Sequence, residues 1–281
     1  MVIRSKSMLT LGMAVLFASS ACGGSSSTAS SSAESSKASC PPSTSDAYAK
    51  AVLADNPVGY YRLDDASGAK LCDASTRRND GAFSPSGVTY DQPGALKGIS
   101  DTSIRADGTV NPATSTGNSA LFGSTDFTLE AWFKTTSKQD QILVDVGQGG
   151  AGRIAGIGPS STTPGNTLCG GYANAVGFDT YDGYVTADAS SLGINVFDGK
   201  WHYLVGSYSQ AGGGSLNLYL DGRLAKSASI HVQPATSPVR VGYWIDSVCN
   251  SPFAGSLDEV ALYTTALTPA RVKAHYSASG H

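Results

Sequence analysis

Short segments in which apolar and polar residues alternate recur from Val58 onward, and they constrain the fold more than any other feature of the chain. The clearest is residues 126–135 (DFTLEAWFKT). Its period of two indicates a β-strand, because successive side chains of a strand point to opposite faces. One face carries Phe127, Leu129, Ala131 and Phe133, and the other carries Thr128, Glu130, Trp132 and Lys134. Bulky residues on both faces predict a strand that is covered on both sides for part of its length.

Residues 201–227 contain two more alternating runs separated by a turn signal. Leu216, Leu218 and Leu220 alternate with polar or aromatic neighbours, and Asp221-Gly222 then supplies a two-residue hairpin turn. The segment therefore predicts an antiparallel meander. Further strand candidates are VGYYRL, TSIRA, QILVDVG, RIAGIG, NAVGFDT, SPVRVGYW and FAGSLDEVALY.

Helix signals are few and lie at the two ends of this region. Ser45 or Asp46 can cap a helix over residues 47–55, and Thr268 with Pro269 is a favourable start for one near the C-terminus. The pattern predicts an all-β domain over residues 46–281. Its architecture would be a two-sheet antiparallel jelly-roll sandwich with short N- and C-terminal helices.

The first residues are typical of an export signal. Arg4 and Lys6 precede a short apolar run over residues 8–18, and small residues then lead to Cys22. Residues 1–21 are therefore interpreted as a signal peptide, and residues 22–45 as a cysteine followed by a flexible Ser-rich tether. A cysteine in this place resembles the bacterial lipoprotein pattern, in which it is lipidated, although Ser19 stands where that pattern has an apolar residue. We expect an extracytoplasmic protein anchored to the cell membrane by lipid, or alternatively a freely secreted one after cleavage near Ala21.

Four further cysteines predict disulfides, since an exported chain meets an oxidising compartment. They are Cys40, Cys72, Cys169 and Cys249, which allow three pairings. Cys40–Cys72 with Cys169–Cys249 is favoured, because the first bridge would bracket an N-terminal segment and the second would tie two loops together. A zinc site is disfavoured, because no two cysteines have CxxC spacing and no histidine is near them.

Charge and hydropathy exclude two classes of partner. The net charge of −3 and the lack of clustered Lys and Arg argue against nucleic-acid binding. No second apolar run is long enough for a transmembrane helix, so membrane contact is expected through the lipid anchor only.

Four segments occur in an order that resembles a known family. They are VLADNPVGYYRLDDASG, FTLEAWFKT, WHYLVGSYS…LNLYLDGRLA and FAGSLDEVALYTTALTPARVKAHY. Together they are similar to the concanavalin A-like, laminin-G-like jelly roll of bacterial exported proteins, from about Ala47 to Tyr276. The resemblance implies two curved sheets and a binding role, often toward carbohydrate or surface partners and sometimes with calcium.

The sequence does not support catalysis. A glycosidase needs two carboxylates that face a sugar across a cleft. Glu130 stands alone on its strand, and Asp258 and Glu259 are adjacent, so a regular strand would point them to opposite faces. His202, between Trp201 and Tyr203, is interpreted as a packed structural histidine. We expect no enzymatic activity.

Two loop regions combine aromatic rings with polar groups, as sugar binding requires. The candidate ligand-binding residues are Tyr172, Asn174, Tyr181, Asp182, Tyr243, Trp244 and Asp246. A Cys169–Cys249 bridge would bring the two regions to one surface. The alternative is that the aromatic residues complete strands and that the polar residues form turns.

A structural calcium ion is a further hypothesis, with Asp64 and Asp258 as its candidate ligands. Calcium prefers hard oxygen ligands, and the first and last strands often neighbour one another in such sandwiches. Asp73 and Asp80 add carboxylates nearby, although Asp in such loops also caps turns.

The favoured function is a surface-tethered, non-catalytic binding module that is lectin-like and recognises a glycan. The alternatives are a structural or adhesive envelope protein that binds a cell-surface protein and, less favoured, a divergent glycoside hydrolase. The sequence alone leaves open the ligand, the oligomeric state and the type of cell envelope.

Overall fold

The computed structural model describes residues 40, 46–115, 126–139, 141–147, 155–160, 174–180, 183–230, 232, 238–243 and 252–281. All of them belong to the compact unit Ala38–His281. Within these residues the chain forms two antiparallel sheets of eight strands each and two α-helices. The predicted all-β sandwich with two short helices is therefore confirmed.

Sheet A has the strand order β14-β13-β12-β7-β16-β5-β4, and β1 also pairs with β16. Its strands are β1 (Gly59–Tyr61), β4 (Val88–Pro93), β5 (Thr102–Asp107), β7 (Phe127–Lys134), β12 (His202–Ser209), β13 (Ser215–Leu220), β14 (Arg223–Ser229) and β16 (Ala254–Tyr263).

Sheet B has the order β11-β10-β9-β8-β15-β6-β3-β2. Its strands are β2 (Lys70–Leu71), β3 (Gly81–Phe83), β6 (Ala113–Ser115), β8 (Val144–Val146), β9 (Ala155–Ser160), β10 (Ala175–Thr180), β11 (Gly183–Asp188) and β15 (Val239–Val241).

The main core lies between the sheets and follows the alternation in the sequence. Phe127, Leu129, Ala131 and Phe133 of β7 all point into it, and the buried valines of β8 and β15 meet them from sheet B. The sheets approach closely at Gly206, where a Cβ atom would lie 2.6 Å from Cδ2 of Phe178. The meander is confirmed as well: Leu220 pairs with Arg223 around Asp221-Gly222, and both turn residues have positive φ.

Two helices cover the outer face of sheet A. Helix α1 (Ala47–Ala54) is capped by Asp46, whose side chain accepts from the N–H of Ala49, and helix α2 (Pro269–Ala278) is capped by Thr268. They pack on the second face of β7 and β12 and form a smaller aromatic core. The residues of this core include Tyr48, Val52, Trp132, Tyr203, Tyr263 and Val272.

A buried polar network fastens both helices to the sheet. Glu130 of β7, which is 0% exposed, accepts hydrogen bonds from the hydroxyls of Tyr203 and Tyr263 at 2.5 and 2.8 Å. Nδ1 of His275 lies 3.0 Å from Glu130, and its Nε2 lies 2.8 Å from Asp55, which follows α1. In the described part of the chain, no helix is both long and apolar enough to span a bilayer.

Candidate functional site

A cluster of carboxylates surrounds Arg62, directly after β1. The Nη2 atom of Arg62 lies 2.9 Å from Oε1 of Glu259, and its Nη1 atom lies 2.9 Å from Oδ2 of Asp46. The hydroxyl of Tyr60 donates to the other oxygen of Glu259. Asp64 and Asp101 are more distant from the guanidinium, at 3.7 and 3.8 Å. One arginine therefore faces more negative charge than it can neutralise.

A β-bulge in β16 brings Asp258 and Glu259 into this cluster together. The pairing with β7 shifts between Asp258 and Ala261, so β16 has one extra residue there, and Glu259 has a φ of +49°. Leu257 and Val260 both point into the main core on either side of the pair. The expectation that adjacent carboxylates point to opposite faces was therefore wrong, because a bulge breaks the alternation of a regular strand.

Asp101, Asp258 and Glu259 form a compact group in the described residues. Each offers a carboxylate oxygen, and these oxygens lie within 4.8 Å of one another. Asp258, a predicted metal ligand, belongs to this group, whereas Asp64, the other predicted ligand, is not one of its members. Asp64 instead lines the neighbouring pocket of about 410 Å³, whose wall also includes Arg62 and Asp101.

Burial raises the pKa values of Asp258 and Glu259. It raises the pKa of Asp258 well above the ordinary value, and the charges of Asp101 and Glu259 add to the rise. Burial also raises the pKa of Glu259 to about 8, although Arg62 acts in the opposite direction. Burial therefore favours the protonated form of these carboxyl groups, and negative charge on them would cost free energy.

Asp73 and Asp80, the other acidic residues near the first strand, organise a turn and its surroundings. The carboxylate of Asp73 accepts from the N–H groups of Tyr60, Ser75 and Asn79 at 2.7–2.8 Å. Asp80 accepts from the N–H of Asp73 and pairs with Lys70. These contacts match the capping role of Asp in loops and leave the acidic group of Asp258 as the better metal candidate.

Most of the predicted ligand-binding residues lie outside the described residues. They are Tyr172, Tyr181, Asp182, Trp244 and Asp246. Tyr243 is described and lies half-buried two positions after the end of β15. The proposed surface therefore remains a prediction for most of its members.

Asn174 lies among the described residues, and its side chain forms hydrogen bonds with the segment that follows β11. Its Nδ2 atom donates to Oγ of Ser190 at 2.9 Å and to the carbonyl of Ile194 at 2.6 Å. Its Oδ1 atom accepts from the N–H of Val196 at 2.9 Å. Three of the four hydrogen bonds that an amide side chain can make are thus used within the protein.

The strand register of sheet B shows at which end of the sheet the described residues next to the predicted ligand-binding residues lie. Val241 of β15 is level with Phe178 of β10, through Val144 and Ile157 in the two intervening strands. Since β15 and β10 run in opposite directions, Tyr243 lies toward the end of the sheet where β10 begins near Asn174. The Thr180–Gly183 pair, which flanks Tyr181 and Asp182, lies at the opposite end.

The cysteine prediction is confirmed where the structure describes it. Cys40 and Cys72 form a disulfide with a Cα–Cα distance of 5.4 Å. Cys169 and Cys249, as well as the predicted lipidation site Cys22, lie outside the described residues.

The carboxylates on the described strands of the sandwich centre are enclosed in the protein. Glu130, Asp145, Asp258 and Glu259 are all 0% exposed. His202, which the sequence suggested to be structural, is also buried and lies between Asp221 and Asp198, at 2.9 and 3.3 Å.

The two facing antiparallel sheets define a lectin-like jelly-roll sandwich. Residues 107–273 match the Laminin_G_3 family model, described as the concanavalin A-like lectin/glucanases superfamily, and the chain belongs to this family. No curated protein matches the chain in sequence.

Solved structures share the fold at low sequence identity. The binding domain of Paraclostridial Mosquitocidal Protein 1 has a TM-score of 0.56 at 16% identity, over 80% of this chain and 52% of that one. The ligand-binding domain of botulinum neurotoxin serotype D, solved with N-acetylneuraminic acid, has a TM-score of 0.52 at 13% identity, over 83% and 52%. This chain thus spans about half the length of each of these two toxin structures.

A third structure is matched over almost its entire length. Domain 4 of AbnA, an extracellular arabinanase from Geobacillus stearothermophilus, was solved in complex with arabinotriose. It has a TM-score of 0.50 at 18% identity, over 79% of this chain and 98% of that domain. At these identities the similarity establishes the fold, and it leaves the ligand of this chain to be determined.

Sequence reasoning missed three residues of the acidic cluster: Arg62, Asp101 and Glu259. Arg62 follows the strand signal GYY, and an arginine two positions before Asp64 and Asp65 was a local indication of an ion pair. Asp101 gave no signal, because it reaches the cluster only through the folding of the loop before β5.

Proposed function

We propose that this protein is a non-catalytic carbohydrate-binding module held at the outer surface of a membrane. The observation that carries the proposal is that the strand carboxylates of this lectin-family sandwich are enclosed in the protein. A glycosidase must present such groups to its substrate. Glu130 is instead occupied by two tyrosines and His275 beneath helix α2.

The ligand would bind on the side of sheet B. In the described residues, α1 and α2 cover the central strands of the outer face of sheet A, which removes that area as a place for a sugar. Tyr243 and Asn174 lie toward one end of sheet B, and the aromatic residues Trp244 and Tyr172 are their near neighbours in sequence. A pyranose could stack on these rings while Asp246 accepts hydrogen bonds from its hydroxyls.

Structural relatives support a glycan as the ligand class. Two of them were solved with a bound saccharide, arabinotriose in one and N-acetylneuraminic acid in the other. Export and lipidation at Cys22 complete the proposal, since a Ser-rich tether would hold the module away from the membrane surface.

A glycan array tests this function. The purified protein should bind a defined set of glycans, and Trp244→Ala or Tyr243→Ala should weaken that binding at least about tenfold, since stacked rings carry much of such affinity. Leu224→Ala is a matched control, because Leu224 is 52% exposed on β14 of the other sheet.

Two results would contradict the proposal. Binding to no glycan, together with capture of an envelope protein, would favour the adhesive alternative. Release of reducing sugar from a polysaccharide panel by the pure protein would establish a glycosidase.

A separate experiment tests the lipid anchor. Labelling of the cells with a clickable palmitate analogue should modify the wild-type chain but not the Cys22→Ser variant.

A further inference from the structure

A cleft of about 450 Å³ lies between the β13–β14 hairpin and the C-terminal half of helix α2. The hairpin contributes Asp221 and Arg223 to its wall, and α2 contributes Lys273 and Tyr276. The described residues that line it include none of the predicted ligand-binding residues. Its volume is typical of pockets that hold small molecules.

Arg223, the first residue of β14, is held in place by one hydrogen bond. Its Nη1 atom donates to the carbonyl of Leu192 at 2.9 Å, at the end of the short 3₁₀-helix Ala189–Leu192. Within the described ranges this is the one polar contact of the side chain. Since a guanidinium has five N–H donors in a rigid fork, most of the donors of Arg223 are left for a ligand.

Lys273 brings a second positive charge to the cleft. It is exposed on α2 and forms no ion pair with any described residue. Asp221 is the carboxylate in the described wall, and both of its oxygens are occupied. Oδ2 lies 2.9 Å from Nδ1 of His202, and Oδ1 accepts from the N–H of Tyr203 at 2.8 Å. The two cations therefore favour an anionic group as their partner.

The rest of the wall suits a sugar ring. The ring of Tyr276 is fixed by stacking on buried Trp132, with centroids 5.8 Å apart and planes 10° apart. Gly222 packs against it, because a Cβ atom there would lie 2.9 Å from Cγ of Tyr276.

His281 adds a polar group to the same wall. Its Nε2 atom lies 2.9 Å from the carbonyl of Ala95, and burial lowers the pKa of the imidazole. A neutral ring that donates through Nε2 has an acceptor at Nδ1, which can bind a hydroxyl group. The cleft thus combines an aromatic side chain, a hydroxyl acceptor and two cations.

We propose that this cleft binds a saccharide that carries a carboxylate, such as a uronic acid residue. Arg223 would bind the carboxylate through two N–H groups, and Lys273 would add its charge. The sugar ring would contact Tyr276, and its hydroxyls would bind His281 and the exposed Ser277. A neutral sugar would leave both cations without a partner, so the cleft discriminates by charge. This second site goes beyond the proposed function and does not require the sugar surface of sheet B.

Isothermal titration calorimetry of the exported protein with trigalacturonate tests the site. The neutral trisaccharide maltotriose should bind at least about tenfold more weakly, because it makes no charged hydrogen bonds. Arg223→Gln and Lys273→Gln should each weaken the binding of trigalacturonate at least about fivefold. Lys226→Gln is the matched control, because this exposed lysine of β14 does not line the cleft, and its effect should stay within about twofold.

Further measurements separate this site from the sugar surface of sheet B. Trp244→Ala and Tyr243→Ala should leave trigalacturonate binding unchanged, and Arg223→Gln should leave the binding of neutral glycans on the array unchanged. The two proposals therefore fail with different results.

Four results would overturn the cleft as an acidic-saccharide site. They are no binding of trigalacturonate by the wild-type protein, equal affinity for maltotriose, full binding in both Arg223→Gln and Lys273→Gln, and displacement of trigalacturonate by inorganic phosphate with equal affinity. The last result would indicate a site for any small anion.

Discussion

Nδ1 of His275 lies 3.0 Å from Oε2 of Glu130, and neither side chain is exposed to solvent. The second ring nitrogen of His275 lies 2.8 Å from Asp55, so the imidazole bridges two carboxylates. Helix α2, the end of helix α1 and strand β7 are thereby joined at one point. This network fastens the two helices over the central strands of sheet A.

The first prediction concerns the pH dependence of stability. Burial lowers the pKa of His275, but Glu130 and Asp55 raise it by more, so the net shift is upward. Tyr203 and Tyr263 also face this site, and Arg271 pairs with Asp55. Because the folded pKa is raised, the stabilisation is fully present below the ordinary imidazole pKa and is lost as the pH rises through the folded pKa.

The melting temperature should therefore fall between pH 6 and pH 9. His275→Gln should remove much of this slope and cost about 3–5 kcal/mol at pH 6, as expected when one partner of a buried pair is lost. His202→Asn should remove a further part, since the pKa of His202 is also raised, by Asp221 and Asp198 against burial. An unchanged slope in the double variant would contradict this interpretation.

A second prediction addresses the contact between the two sheets. Gly206→Ala should destabilise the protein by about 1–3 kcal/mol, because the new methyl group would press on Phe178 and Ile157 of sheet B. Urea unfolding measures the change. Ser215→Ala, at an exposed strand position, should change the free energy of unfolding by less than about 0.5 kcal/mol. Equal effects of the two substitutions would argue against close packing at Gly206.

The disulfide gives a third prediction. Cys40 and Cys72 are 32 positions apart, and the loop-entropy model assigns their bridge about 4 kcal/mol. The double variant Cys40→Ser/Cys72→Ser should unfold at correspondingly lower denaturant concentration. Dithiothreitol should destabilise the wild-type protein by at least as much. A remaining effect of the reductant on the double variant would indicate a second bridge between Cys169 and Cys249.

The fourth prediction tests whether the side chain of Asn174 has a structural role or binds the ligand. Asn174→Ala should cost about 1–3 kcal/mol, because it leaves the N–H of Val196 and the carbonyl of Ile194 without their partners. Asn217→Ala, which loses an exposed contact with Ser227, should cost much less. Glycan affinity of the folded Asn174→Ala fraction should stay within about twofold of wild type. A large loss of affinity without loss of stability would return Asn174 to the sugar site.

The parts of the fold that sequence predicted are those with a long local pattern. The strands β7, β12 and β13 alternate over six to eight residues, and Thr268-Pro269 marks a helix start by itself. Strands such as β2 and β6 contain two or three residues, which is too short to display a period. Their existence depends on the neighbouring strands.

Of the three residues in the candidate metal site, the sequence predicted one and missed two. Asp258 was named as a candidate ligand because the first and last strands often neighbour one another in such sandwiches, and β1 does pair with β16. The predicted direction of the Glu259 side chain was wrong. The bulge arises from the pairing of β16 with β7, and no local sequence pattern indicates it. Asp101 was missed because its contact with Asp258 exists only in the folded chain.

The extra residue in β16 also sets the tolerance of the final strand to changes in length. Upstream of it, odd-numbered positions such as Leu257 point into the sandwich; downstream, even-numbered positions such as Leu262 do so. Deleting the extra residue would restore a regular alternation in which Leu262 still points into the sandwich, but the carboxylate that pairs with Arg62 would be lost. Homologous strands should therefore be able to lose this one position and keep their core, at the expense of that ion pair.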